Sequence, residues 1–205
     1  MKKIIMIASL LPLLAACGGS KKSGNVDSLL DSPFVEEAEL PDSVAPIVLT
    51  PDSLSSIHIG MDINSLPKSG ADLYTNLVAG DTPDALTLTG MLDGKPAFTL
   101  YDFGEGKVDL IALNSDDYGV ATPEGVLRIG DPFESLLKVG GVTTEWTGYD
   151  EGGQWFWKWG GLWFLPSEEG MTGAQAAELQ NSSRPPKAAD FAKCKIGYIG
   201  TGAPY

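Results

Sequence analysis

Catalysis by a nucleophile, a metal or a proton shuttle needs particular side chains close together, and this 205-residue chain offers few of them. Its one histidine is His58, so any Ser-His-Asp or Cys-His arrangement would have to use it, and no GxSxG or HExxH stretch accompanies it. Glu145 and Asp150 are neighbouring carboxylates of the kind a glycosidase needs, but nothing in the sequence sets their separation. Asn114-Ser115-Asp116-Asp117 gathers oxygen groups that calcium favours. It lacks the alternating acids and closing glutamate of an EF-hand loop, and an Asx-rich turn accounts for it better. Neither a cofactor motif nor a metal-ligand spacing is present. The most distinctive side chains are aromatic. In Gln154 to Trp159 the alternation of a strand sends Trp155, Trp157 and Trp159 to one face and Gln154, Phe156 and Lys158 to the other, with Trp146 and Trp163 on flanking strands. An open tryptophan face would offer a large rigid surface to a protein partner or to sugar rings. An inward one would be core, and the glutamine and lysine opposite favour that reading.

Charge removes one class of partner. With Lys+Arg 14 against Asp+Glu 27 the formal net charge is -13, so a nucleic-acid backbone would be repelled. Two cysteines cannot build a disulfide framework, and one of them belongs to the amino-terminal segment. That segment runs from the positive start Met1-Lys2-Lys3 through an apolar stretch, Ile4 to Leu14, to Ala15-Ala16-Cys17. The apolar run is shorter than the about 20 residues a spanning helix needs and reads as an export signal. Leu14-Ala15-Ala16-Cys17 resembles the lipobox of bacterial lipoproteins. The resemblance implies a diacylglyceryl thioether on Cys17, cleavage after residue 16 and acylation of the new amino terminus, palmitate included. Several acyl chains suffice for stable anchoring without a spanning helix. Gly18, where an aspartate would direct inner-membrane retention, implies the outer membrane by the same resemblance. Cys194 is then left without a thiol partner in its own chain and reads as a buried small hydrophobe.

Residues 17–46 turn to Gly, Ser and Lys and then to Asp27, Asp31, Glu36, Glu37, Glu39 and Asp42 among prolines, with no sustained apolar period and room for one short helix at Val26 to Leu30. A flexible acidic tether of this length would hold a domain roughly 30 Å from its anchor.

The elements that must position any site lie in residues 47–205 and are organised by a repeat. Ile57-His58-Ile59-Gly60 with Ser65-Leu66 and Lys68 returns as Leu127-Arg128-Ile129-Gly130 with Ser135-Leu136 and Lys138, every spacing kept. Each copy reads as a short strand, a glycine bend and a short helix. The first is followed by helix formers from Ala71 to Leu77, then strands at Leu86 to Leu92, Lys95 to Phe103 and Lys107 to Leu113, with an Asp93-Gly94 hairpin turn. In the second, Asp131-Pro132-Phe133-Glu134 offers a helix start with an acid at the N-cap and a proline at the first position. An acidic cap would also repel phosphate, so a structural role is expected rather than an anion loop. Strands follow at Thr143 to Tyr149, Gln154 to Trp159 and Leu162 to Leu165, then a helix at Ala174 to Gln180, a loop insertion at Asn181 to Lys187, and a last strand at Lys195 to Ile199. The expected fold is α+β: tandem duplicated units of about 47–119 and 120–205, each a helix plus a three-stranded antiparallel sheet, closed on each other as one domain.

A glycine-led helix followed by antiparallel strands, in tandem, is similar to the architecture of the β-lactamase inhibitory protein. Gly60-Met61 resembles the Gly-Met start of the small lipoprotein of the outer-membrane assembly machine; Asp131 takes the methionine's place in the second copy. The organisation is closer still to uncharacterised bacterial lipoproteins with a segment like Thr122 to Leu137, which implies a fold without an assigned activity. The leading expectation is a non-enzymatic, lipid-anchored protein whose sheet binds an envelope protein or another envelope component. A glycan-binding module using Trp146, Trp155, Trp157 and Trp159 is the alternative, and a hydrolase with an unrecognised site the third.

Overall fold

The computed structural model describes residues 46–70, 72–149 and 152–203. The export signal, Cys17, the acidic stretch up to residue 45 and Asp150 lie outside them. The described chain opens with a small hairpin, β1 (Ser53–Leu54) and β2 (Ile57–His58), and a 3-10 turn at Ile63–Ser65. The carboxylate of Asp62 accepts the Asn64 N–H at 2.9 Å and starts that turn. A four-strand meander follows: β3 (Asn76–Asp81), β4 (Leu86–Leu92), β5 (Lys95–Asp102) and β6 (Leu110–Leu113). A second hairpin, β7 (Gly119–Thr122) and β8 (Gly125–Arg128), leads into helix α1 (Phe133–Lys138). Then come β9 (Thr143–Tyr149), β10 (Gly152–Trp159), β11 (Leu162–Pro166), helices α2 (Gly173–Leu179) and α3 (Ala188–Phe191), and β12 (Ile196–Gly200).

The fold is α+β and dominated by one antiparallel sheet of eight strands in the order β3-β4-β5-β6-β12-β11-β10-β9. The order reads outward from its centre as two meanders, each ending in the strand that meets the other. At that seam one ladder pair, Gly200 with Ala112, is extended by Thr201, whose hydroxyl accepts the Ile111 N–H at 2.9 Å and whose N–H donates to the Ile111 carbonyl at 3.0 Å.

Each meander is clasped in the same way. Gly60 and Gly130 take left-handed φ of 82° and 88°. The turn brings the Gly60 N–H to the Val108 carbonyl (2.7 Å) and the Gly130 N–H to that of Ile196 (2.8 Å). Val108 N–H answers to the Met61 carbonyl and Ile196 N–H to that of Asp131, both at 2.8 Å. Asp62 bridges Lys107, and Pro132 bridges Lys195. The chain entering β6 is thus held by a glycine bend about fifty residues before it, and that entering β12 by one about sixty-five residues before it.

Strand register assigns the side chains to two faces. One carries Phe98, Leu100, Ile111, Leu113, Ile199, Phe164, Leu162 and Trp157, all buried, and both hairpins and all three helices add their buried residues to the same cluster. Trp157 is 1% exposed and lies edge-on to Phe133 (4.9 Å between centroids) and Phe191 (5.2 Å). Its indole N–H has no hydrogen-bond partner among the described residues. Two glycines serve close approach: a Cβ at Gly90 would sit 2.3 Å from the Phe98 ring, and one at Gly200 would meet the Tyr198 ring and hydroxyl.

Several expectations need correction. The first half has four strands, not three, because residues 76–81 pair along β4 instead of continuing a helix from Ala71, and the second contributes four, with 196–200 as the fourth. Residues 107–109 belong to the clasp and not to β6. Asp131 does not cap α1; its carboxylate turns back to accept the Arg128 N–H at 2.8 Å and closes the glycine bend, while the Phe133 N–H goes to the Cys194 carbonyl. Residues 119–122 and 188–191, to which the sequence assigns no element, form β7 and a further helical turn.

Asp102 is 3% exposed and holds the loop that enters the first clasp. Its Oδ1 accepts the N–H groups of Gly104 (2.8 Å) and Gly106 (3.0 Å), and these bonds hold the carboxyl below its ordinary pKa despite burial. A depressed carboxylate contributes stability above the unfolded value of about 3.9 and loses it as pH falls through the folded value. Asp102→Asn is therefore expected to destabilise the protein at neutral pH by an amount that shrinks below about pH 4, read from denaturant midpoints across pH. Trp157→Ala should cost about 3–5 kcal/mol. Trp157→Phe, which also removes the unpartnered N–H, should cost about 1 kcal/mol, measured by thermal unfolding.

Candidate functional site

The candidate residues of the tryptophan strand separate by depth, and the three-indole face points into the core. Trp157 is fully buried, so it cannot form part of a recognition surface, and the strand has no three-indole platform. Trp155 and Trp159 flank it half-buried, their ring N–H groups donating to the carbonyls of Asn181 (2.9 Å) and Gly140 (3.0 Å). Trp146 packs edge-on to Trp155 at 5.7 Å. These indoles fasten the segments around α1 and α2 to the edge of the sheet.

The chemical candidates are dispersed. His58 is exposed at the end of β2, where it pairs in register with Ser53. Glu145 is ion-paired to Lys158 at 2.7 Å, and its proposed partner Asp150 lies outside the described residues. In the 114–117 loop, Asn114 Nδ2 donates to Thr99 Oγ1 (2.7 Å) and the Ser115 hydroxyl to Asp117 (2.8 Å), while the Asp117 N–H donates to Ser115 Oγ (3.3 Å), so the turn is closed by the serine and not by an Asx side chain. Among the described residues no group of three or more His, Cys, Asp or Glu side chains could hold a metal ion. Cys194 is buried, and burial raises its thiol above the ordinary value. Tyr118 donates its hydroxyl to the Leu73 carbonyl, and burial pushes its pKa up to about 12. Tyr74 donates to Pro67 (2.7 Å) and Tyr198 to Gly202 (2.5 Å), and burial raises both. The three tyrosines and Asp102 are thus spent on backbone, while the Cys194 sulfur accepts the Gln175 side-chain amide at 3.8 Å.

The other face of the sheet has a different character. The hairpins and helices bury their apolar residues on the opposite side, and this face carries its own side chains and, near its centre, the residues after β12: Tyr198 donates to the Gly202 carbonyl, and a Cβ at Gly202 would lie 3.3 Å from Leu110. Over β10 to β12 it is aromatic: Phe156 lies under Trp163 (5.6 Å) and Tyr198 (6.4 Å), both edge-on. Lys158 Nζ sits 4.3 Å from the centre of the Trp163 ring while bound to Glu145. Over β3 to β6 it is neutral and hydroxylic. Thr89 and Thr99 approach to 3.3 Å, Tyr101 pairs with Leu110, and Val78 is 47% exposed. The Lys158–Glu145 ion pair supplies the face's charges, in a chain of net charge -13.

Alternation along β10 placed Phe156 and Lys158 away from the tryptophans. What it could not supply is that Trp163, Tyr198, Thr99 and Thr89 join them, which needs the register of six strands. Arrangement of neutral hydroxyl and aromatic groups on a firm sheet suits non-covalent recognition of a surface, with apolar contact from the rings and hydrogen bonding from the threonines.

No protein-family model matches this chain, and no curated protein matches it. Among solved structures the chain is similar to the uncharacterized protein YfeY from Escherichia coli, at 16% sequence identity and a TM-score of 0.48, over 74% of this chain and 97% of that one.

Proposed function

We propose that this chain is an exported, lipid-anchored binding protein that engages an envelope protein through the open face of its sheet. The carrying observation is the contrast between an acidic chain and a sheet face whose two charges are spent on each other. Depletion of charge with retention of aromatic rings distinguishes the centre of protein interfaces from ordinary surface. Eight strands spaced about 4.8 Å apart make a platform about 35 Å wide, comparable with the ~800 Å² each partner contributes to an interface of ordinary size. A hydrolytic function has less support, because the buried tyrosines and Asp102 are engaged with backbone and Cys194 with the Gln175 amide. The glycan reading loses Trp157 to the core.

The anchor rests on the lipobox-like residues Leu14 to Cys17. No helix of the described residues is long and apolar enough to cross a membrane, so attachment falls to acyl chains, with the outer membrane as destination. Duplication of one helix-and-sheet unit is the proposed origin of the body. Its support is the mirrored strand order, the two glycine bends of matching φ and the repeated clasp hydrogen bonds.

Two measurements test this reading. Mass spectrometry of the mature protein should find Cys17 as an acylated amino terminus, with Cys17→Ser left as an unprocessed precursor; a processed, unmodified chain would refute the anchor. A photo-crosslinking residue placed at Thr89 or Leu165 should give one discrete adduct in cells, and one at Glu124, on the hairpin side, should give none. Equal yields at all three would refute the open face as the binding surface.

A further inference from the structure

The sheet has two edges, and they are built differently. An edge strand presents unpaired backbone groups to any passing chain, so edges normally carry a charge, a proline, a lysine or a kink that discourages pairing. β9 has such devices: Glu145 within the strand, and Gly148 at φ 152°, packed so tightly on β10 that a Cβ would lie 2.3 Å from the Gly152 carbonyl oxygen. β3 has none along its middle. It is hydrogen-bonded on one side only, to β4, in six consecutive register pairs without a bulge. It contains no proline or lysine, and its centre is Leu77-Val78-Ala79. Val78 is 47% exposed, and Leu86, paired with Asp81 on the neighbouring strand, is 60% exposed. Two of the four exposed large hydrophobic residues of the described chain thus lie at this one edge.

We propose that β3 is a self-association site, where β3 of a second copy adds antiparallel and continues the sheet across a two-fold axis. An isologous pair of this kind sets one residue against itself, and directly opposed residues must share a face. Centring on Val78 meets both conditions. It sets Val78 against Val78, Leu77 against Ala79 and Asn76 against Gly80, and the strand's one charged residue, Asp81, falls opposite Thr75. Centring on Ala79 instead opposes Asp81 to Leu77, which strands a carboxylate against an apolar side chain. Charge selects the same place. Two copies of net charge -13 repel one another over most of their surface, and an edge with no charge across its central residues is where backbone pairing meets least opposition. The association uses the edge of the sheet and leaves its open face free.

The test uses the full chain in mild detergent. It is expected to sediment as a concentration-dependent dimer. Val78→Cys should form a disulfide-linked dimer about tenfold faster than Thr143→Cys on the opposite edge, since opposed Cβ atoms in such a pair lie about 5 Å apart. Val78→Lys should be monomeric with a melting temperature within about 2 °C of wild type, as an exposed substitution allows. Ala79→Pro added to Val78→Cys should abolish the cross-link by removing a ladder donor. Wild type that sediments as a monomer at all concentrations overturns the proposal, as does Val78→Cys cross-linking no faster than Thr143→Cys. Either result would leave the edge empty, or held by residues 17–45 or a strand of another protein.

Discussion

Two left-handed glycines hold this structure together. At Gly60 and Gly130 a Cβ would meet nothing within 4 Å, so glycine is required there for its backbone angle and not for space. Any other residue would hold that angle at a cost of about 1–2 kcal/mol. The angle turns the chain so that successive backbone groups face the segments ahead of β6 and β12, the two strands at the centre of the sheet. The ends of the central strands, the first turns of the helical segments and the small hairpins are all fixed by that one geometry. Phe133 shows the coupling: its N–H reaches the Cys194 carbonyl through the clasp, and its ring lies against Trp157 in the core.

The clasp also decides which side of the sheet remains available. By tying the hairpins and helices to one face it commits Trp157, Phe164 and Phe191 to a single core and leaves the other face to its own side chains and the residues that follow β12. The two faces consequently use aromatic residues differently. On the core face Trp155 and Trp159 use their ring N–H groups to fasten loops. On the other, Trp163 covers Phe156 and carries the Lys158 ammonium, giving a surface that is apolar in body and neutral in charge.

Local pattern made most of the strands legible. The alternation of residues 86–92 and the Asp93-Gly94 pair, observed at φ of 50° and 76°, specify β4, its turn and the start of β5 from neighbouring residues alone. The tandem glycine spacing likewise pointed to both clasps. β3 was not legible, because Asn76 to Asp81 has little strand propensity of its own and owes its conformation to six pairs with β4, a tertiary effect. Asp131 has the residue type of a helix cap, and which N–H it accepts from is settled by the glycine bend before it. The candidate site was half legible. Periodicity separates Trp157 from Lys158, but which side is roofed by helices depends on where the rest of the chain packs.

The placement of β12 governs the order in which this molecule can become complete. It follows every other strand of the described chain, yet in space it stands fourth from one edge, pairing with β6 on one side and β11 on the other. β6, whose four residues are all buried, therefore has no neighbour on its inner side until β12 has been made. Everything from β7 to β11 must be made before the interior can seal. Such non-local closure slows folding and leaves the nascent chain open for longer. For the export proposed above, that delay would keep the polypeptide threadable during transit.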